Sequence, residues 1–247
     1  MMVNALNAER IKLLSTKSPY WCVAIVALLA ILFSVLIGAF ASGDDSENIY
    51  ASDYTTGVSQ IGVIVLMIMA VLAVTSEFRF GTIRTTYQAI PRREVVLGAK
   101  AVIYGGLSVV VTLVLGIVAL LLGKVLSGNN MDLVGSDAIR QYWGIPVYTL
   151  LCILIGLGIG AIVRQTAGAI VVLLIWTLAL EGIIGIIPKF GDAVSPYLPF
   201  NNAARFLTER DTSIDFPWNA YGSIAYFAVI SLIIFGLGVF FTKKRDA

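Results

Sequence analysis

Apolar residues run along this chain in blocks far longer than a soluble strand or helix needs, and the charged residues fall between the blocks. An Asp, Glu, Lys or Arg at mid-bilayer costs about 2.5 kcal/mol or more, so long windows free of all four mark candidate spans. The first window lies between Lys17 and Asp44, with its apolar centre from Tyr20 to Phe40. The second lies between Asp53 and Glu77 and is centred on Ile61 to Val74. The third runs from Lys100 to Lys124. Its apolar pattern begins earlier, near Val95, so Lys100 is expected to snorkel toward the headgroups. Three more follow: Arg140 to Arg164, Arg164 to Lys189 interrupted only by Glu181, and Asp215 to Lys243 starting after Pro217. The expected spans cover about 20–41, 57–76, 95–126, 143–163, 165–187 and 218–242.

A crossing takes roughly 20 residues at about 1.5 Å each to traverse a core of about 30 Å. Six of them use nearly all of the 247 residues and leave no room for an ordinary soluble domain. The expected fold class is therefore an all-α membrane protein, a single transmembrane domain over 1–247.

Between the spans, the connections differ in kind. The loop at Ser42 to Thr56 is short and acidic, the one at Ser127 to Tyr142 is short and polar, and the turn at Arg164 is tight. Two segments exceed what a connector needs, 77–94 and 189–217. In the first, Gly81-Thr82 can break the descending helix and cap a short new one, while Pro91 suits the first turn of the next. Its Phe78, Phe80, Ile83, Tyr87 and Ile90 are more apolar than a solvated hairpin requires. Aromatic and Arg side chains together mark protein interfaces; a connector whose arginines only hold topology is the plainer alternative. The second segment is too short for a core of its own, and two half-helices dipping into one leaflet would satisfy its backbone where it is buried. At the other extreme of the chain, about 2–17 is expected to form a membrane-surface helix with Met2, Val3, Leu6, Leu13 and Leu14 on one side and Lys12 opposite. Ser18-Pro19 argues against its being a simple extension of the first span, because Pro disfavours helix at the residue before it.

Charge gives the sidedness. Of the 17 basic residues, 12 fall on the face that carries both ends of the chain, among them Arg79, Arg84, Arg92, Arg93 and Arg164. The other face has 5 basic residues and ten acids, from Asp44, Asp45 and Glu47 through to Asp215. By the positive-inside rule both ends are expected in the cytoplasm. The polar, mixed-charge opening is not that of a cleavable signal peptide, so the first span is expected to be retained.

Candidate chemistry is sparse. Only 13% of residues are charged, against about 25% in soluble domains. Histidine is absent, which removes the commonest general base and metal ligand. Cys22 and Cys152 lie singly in apolar runs and build no zinc or redox motif. Gly123-Lys124 is followed by Val125, so no phosphate-binding loop is complete. Ser59 has no basic partner in sequence that would make it a nucleophile. No catalytic, cofactor-binding or metal-ligating residue is therefore expected, and the chain is not expected to be an enzyme. Glu181, the one ionisable residue inside a window, either lines a path or interface or reaches the headgroups. Gly156-Leu157-Gly158-Ile159-Gly160 lets another helix approach closely, within the chain or across a dimer seam.

Glu77, Gly81, Thr82, Arg84, Pro91, Arg92, Arg93 and Lys100 resemble the loop after the second span in permease subunits of bacterial type-2 ATP-binding-cassette (ABC) exporters. Glu9-Arg10-Ile11-Lys12-Leu13 before Ser18-Pro19-Tyr20-Trp21 is similar to that family's surface helix. Leu198-Pro199-Phe200-Asn201-Asn202-Ala203 is similar to its re-entrant region. The resemblance implies that 77–94 is a cytoplasmic coupling helix touching an ABC ATPase through Glu77, Arg79, Gly81, Thr82, Ile83, Arg84, Arg92 and Arg93, and that 189–217 is an outer re-entrant segment. It also implies ATP and magnesium on that partner, a second permease copy or paralogue, surrounding lipid, no nucleic acid, and residence in the bacterial cytoplasmic membrane. Rival readings are a secondary carrier acting without an ATPase, which usually shows paired inverted halves, and a non-transporting membrane partner of an ATPase.

Overall fold

A computed structural model describes residues 1–40, 50–126, 133–208 and 214–244. Asp44, Asp45, Glu47, Asp132, Glu209, Arg210, Asp211 and Arg245, which enter the charge argument above, lie outside the described residues. Among those described, the regular structure is helical throughout. Helix α1 covers Met2–Ser15 and α2 Ser18–Phe40, followed by a short α3, Ala51–Tyr54. Then come α4 (Gly57–Arg79), α5 (Thr82–Ala89), α6 (Arg93–Leu126), α7 (Ser136–Val163) and α8 (Thr166–Ile186). Two short helices, α9 (Phe190–Val194) and α10 (Pro199–Thr208), precede the last, α11 (Ala220–Lys244). Six of these, α2, α4, α6, α7, α8 and α11, are long and apolar enough to cross a membrane, the make-up of a multi-pass membrane protein.

The break between α1 and α2 falls at Thr16, whose extended backbone ends α1 just ahead of Ser18-Pro19. Pro91 does not sit in the first turn of α6. That helix starts at Arg93, and Ile90 ahead of the proline is extended, as the ring clash on the preceding residue dictates.

Helices α4 and α7 form the centre of the bundle, with 67% and 72% of their most apolar windows buried, against 17–33% for the four around them. Lipid is as apolar as leucine, so helices in it associate through close packing rather than through a hydrophobic drive. The glycine run of α7 supplies that packing within the chain. A Cβ on Gly156 would come 2.9 Å from the Met67 carbonyl oxygen of α4, and one on Gly158 would come 2.7 Å from that of Ile234 in α11. Phe227 of α11 fills the remaining space against Tyr148 and Phe200. Helix α1 packs on α6, and the end of α11 meets Arg93 and Arg164, so α1 and the end of α11 share one end of the bundle.

Candidate functional site

At that end, three sequence-distant segments meet in a cluster of four ionic side chains. Glu9 projects from α1 on the stripe Ala5, Glu9 and Leu13, one residue per turn on the face buried against α6. Lys12 lies a turn further on, Glu77 on the last turns of α4, and Lys100 in the second turn of α6. Lys100 Nζ donates to Glu9 Oε2 at 2.8 Å and to Glu77 Oε1 at 2.7 Å. Lys12 Nζ donates to Glu9 Oε1 at 2.9 Å and to Glu77 Oε1 at 2.8 Å, and reaches Thr86 Oγ1 of α5 at 3.4 Å. Two carboxylates and two ammonium groups make the cluster neutral. Removing charges from water carries a large desolvation penalty, and the mutual pairing offsets it only because every charge has an opposite neighbour. Burial alone would lower the Lys12 pKa, but its hydrogen bonds and charge contacts with Glu77 and Glu9 hold it above the ordinary 10.5.

This geometry corrects two expectations. Lys100 does not snorkel: it is 2% exposed, because two carboxylates wait for it inside. The surface of α1 also differs from the expected wheel. Of the five apolar positions only Leu13 is buried; Met2, Val3 and Leu14 are exposed, because Glu9 must face Lys100 and sets the rotation of the helix.

Helix α5 connects α4 to α6 and packs on the end of α4. Gly81 precedes it with φ of +71°, a left-handed conformation that only glycine takes without strain, and nothing lies within 4 Å of where a Cβ would be. Ile83 is buried and anchors the helix, while Arg79, Gly81, Thr82, Arg84 and Arg92 are exposed. The Arg93 guanidinium lies 5.1 Å from the Tyr87 ring and donates to the Thr242 carbonyl at 3.2 Å. Beside it, Arg164 turns the chain from α7 to α8 with φ of +58°, covers the Phe78 ring at 4.9 Å and donates to the Phe241 carbonyl. Of the residues expected to touch a partner, Glu77 and Ile83 therefore have almost no surface to offer. Glu77 spends its accessible oxygen on two lysines, and Ile83 serves as a peg.

Glu181 lies at the opposite end of the bundle and has a different task. Its carboxylate accepts hydrogen bonds from the backbone N–H groups of Phe200 (3.0 Å) and Asn201 (2.8 Å) and from Trp176 Nε1 (3.1 Å). Those N–H groups belong to the first turn of α10, where orphan donors and the helix dipole favour an anion. Trp176 reaches Glu181 because residues 176–180 form one π-turn, which brings positions five apart into line. Around this clip, Asn202 Nδ2 donates to the Pro196 and Leu198 carbonyls, and Trp218 Nε1 donates to Asn202 Oδ1. Arg205 donates to the Trp218 carbonyl, and Gln141 joins Thr55 to the Leu207 carbonyl. A second π-turn, Gly57–Gly62 in α4, faces the first across a cavity of about 260 Å³ roofed by Phe200 and Leu207.

Sequence reasoning missed Glu9 and Gln141 as partners. No local signal marks either pairing, because Glu9 meets Lys100 across 91 positions and Gln141 meets Thr55 across 86. Among the described residues no group of three or more His, Cys, Asp or Glu side chains could hold a metal. No protein-family model matches the chain, and no curated protein matches it.

Proposed function

We propose that this chain is the permease subunit of an ATP-driven ABC exporter in the bacterial cytoplasmic membrane, with both ends in the cytoplasm. The observation that carries the reading is α5, a short helix between two long apolar helices, packed on the first of them and set off by a left-handed glycine. It presents Thr82 and Arg84 outward and is tied by Lys12 to the ion cluster. A connector that only reverses the chain needs neither the buried peg Ile83 nor that tie. Basic side chains gather at the same end, which supports its cytoplasmic placement. The exposed apolar residues of α1, with Arg10 and Lys17 beside them, suit a helix lying in the headgroup layer.

In this reading, ATP and magnesium bind to separate cytoplasmic ATPase subunits that grip the exposed face of α5. A push on α5 reaches α1, α4 and α6 together, because the ion cluster joins them. Two copies, or this chain and a paralogue, form the path between them, and α9 and α10 cover its outer side as a re-entrant segment. No catalytic group is required of this chain.

The test is Gly81→Val. Nothing lies within 4 Å of the added Cβ, so the main penalty is in the backbone, about 1–3 kcal/mol for a residue held left-handed. The chain should fold and insert, yet lose co-purification with its ATPase or lose coupled transport in reconstituted vesicles. Unchanged co-purification together with unchanged coupled transport defeats the proposal. Co-purification of the parent chain with an ATPase but no transport in vesicles leaves a non-transporting partner, and transport without any ATPase leaves a secondary carrier.

A further inference from the structure

Apart from the ion cluster, the same end of the bundle carries a second basic feature. Where α7 turns into α8 beside the end of α4, Phe78, Arg79, Arg164, Gln165, Thr166 and Ala167 line an open cleft of about 380 Å³. A hydrogen bond from Thr166 Oγ1 to Thr75 Oγ1 at 3.1 Å ties its two walls together. Arg79 is exposed at the last position of α4. Arg164 is half-buried, fixed over the Phe78 ring at 4.9 Å and by its bond to the Phe241 carbonyl at 3.1 Å. Glu77, next to Phe78 in sequence, turns its carboxylate inward to Lys12 and Lys100. Among the described residues, the lining thus carries two positive charges and no Asp or Glu.

The place of the cleft on the bundle identifies the rest of the ligand. Ala167 lies in the first turn of α8, where the first N–H to bond back along the helix is that of Ala169. The N–H groups of Thr166 and Ala167 therefore face the helix end, and the helix dipole there favours an anion. Val171 and Ile175 follow Ala167 on the same helix face and are 52% and 53% exposed. At 1.5 Å per residue, an apolar track of about 12 Å descends from the cleft into the lipid-facing body of α8. Basic pockets between membrane helices on the cytoplasmic side hold anionic headgroups. A guanidinium matches two phosphate oxygens at once. We infer that this cleft binds the phosphate of an anionic glycerophospholipid, with an acyl chain lying along Val171 and Ile175. A zwitterionic lipid brings an ammonium group to the same place, where Arg79 and Arg164 repel it. Free phosphate satisfies the guanidiniums but gains nothing from the track.

The experiment uses the full chain in phosphatidylcholine nanodiscs doped with a minority of phosphatidylglycerol. Photoreactive probes of both lipids carry a diazirine on the acyl chain close to the glycerol. The phosphatidylglycerol probe should label 167–175 saturably and several-fold more than 229–237, a similarly exposed stretch of α11. The phosphatidylcholine probe should label both alike. Arg79→Gln removes one charge-assisted contact and should reduce the preferred labelling about tenfold. Ala167→Asp is the second variant: an acid in the first turn suits the helix, yet it sets a like charge in the cleft and should abolish the preference. Arg84→Gln removes an exposed charge from α5, outside the cleft, and should leave the labelling unchanged. The inference is overturned if Arg84→Gln lowers the labelling as far as Arg79→Gln does, or if the folded Ala167→Asp chain keeps the preference. It is also overturned if both probes label 167–175 equally, or if inorganic phosphate competes as well as unlabelled phosphatidylglycerol. No ATPase takes part, so this result and the outcome with Gly81→Val are independent.

Discussion

The two ends of this bundle solve the same problem, how to hold polar groups among apolar helices, in opposite ways. At one end four formal charges cancel one another across α1, α4 and α6. At the other a single carboxylate is satisfied by neutral N–H donors, and amide side chains complete the network. The first arrangement joins segments far apart in sequence and contains groups that must all be present together. The second is mostly a local helix cap repeated in variations, and each of its bonds stands more nearly alone. A charge cluster is therefore brittle and transmits displacement, whereas a capping network is graded and holds a segment in place. That difference fits a lever at the basic end and a fixed cover at the other, as the proposed function requires.

The comparison breaks most readily at Lys100. Lys100→Met leaves Glu9 and Glu77 sharing only Lys12, and removing one partner from a buried ionic set typically costs about 3–5 kcal/mol. The expected outcome is a large fall in thermal stability of the detergent-solubilised chain, with α1 released to proteolysis. Adding Glu9→Leu to Lys100→Met restores a one-to-one match between Lys12 and Glu77 and should recover much of the loss. A single variant as stable as the parent would show that the four charges do not act as a unit.

At the opposite end a smaller and more confined effect is expected. Glu181→Gln keeps the shape but replaces charge-assisted acceptors by one amide oxygen, a change of about 1.5–3 kcal/mol for hydrogen bonds to a charged group. Hydrogen exchange should rise over Ser195–Tyr197 and Pro199–Thr208 and stay unchanged over Thr82–Ala89. Equal acceleration at both ends would mean that the two networks are one, and the contrast drawn above would fail.

What the sequence disclosed follows the range of the forces involved. The six apolar helices were legible because a charge in lipid is so unfavourable that its absence is itself a signal. Gly81 and Ser18-Pro19 were legible because backbone sterics act between adjacent residues. Lys100 was misread for the opposite reason: its partners stand 91 and 23 positions away, and nothing local distinguishes a lysine that pairs from one that snorkels. Glu181 stood out as an intramembrane carboxylate, yet its role as a cap depends on a turn of backbone 19 and 20 residues further on. The rotation of α1 likewise followed from Glu9, whose burial no wheel of apolar residues reveals.

The smallest expected effect separates the two lysines of the cluster. Lys12 has a side chain 38% exposed, against 2% for Lys100, so solvent screens it and its contribution is modest. Its pKa is raised above 10.5 in the folded chain, so the folded state keeps this proton where the unfolded state begins to release it. The stability it supplies is complete below pH 10.5 and declines as pH rises through the folded value. Lys12→Arg keeps the charge throughout, since a guanidinium does not titrate there. Thermal midpoints of parent and variant should run in parallel up to about pH 10 and then diverge, the parent falling faster. Parallel curves into stronger alkali would show that Lys12 lies beside the cluster without belonging to it, and that the brittle core is the buried trio of Glu9, Glu77 and Lys100.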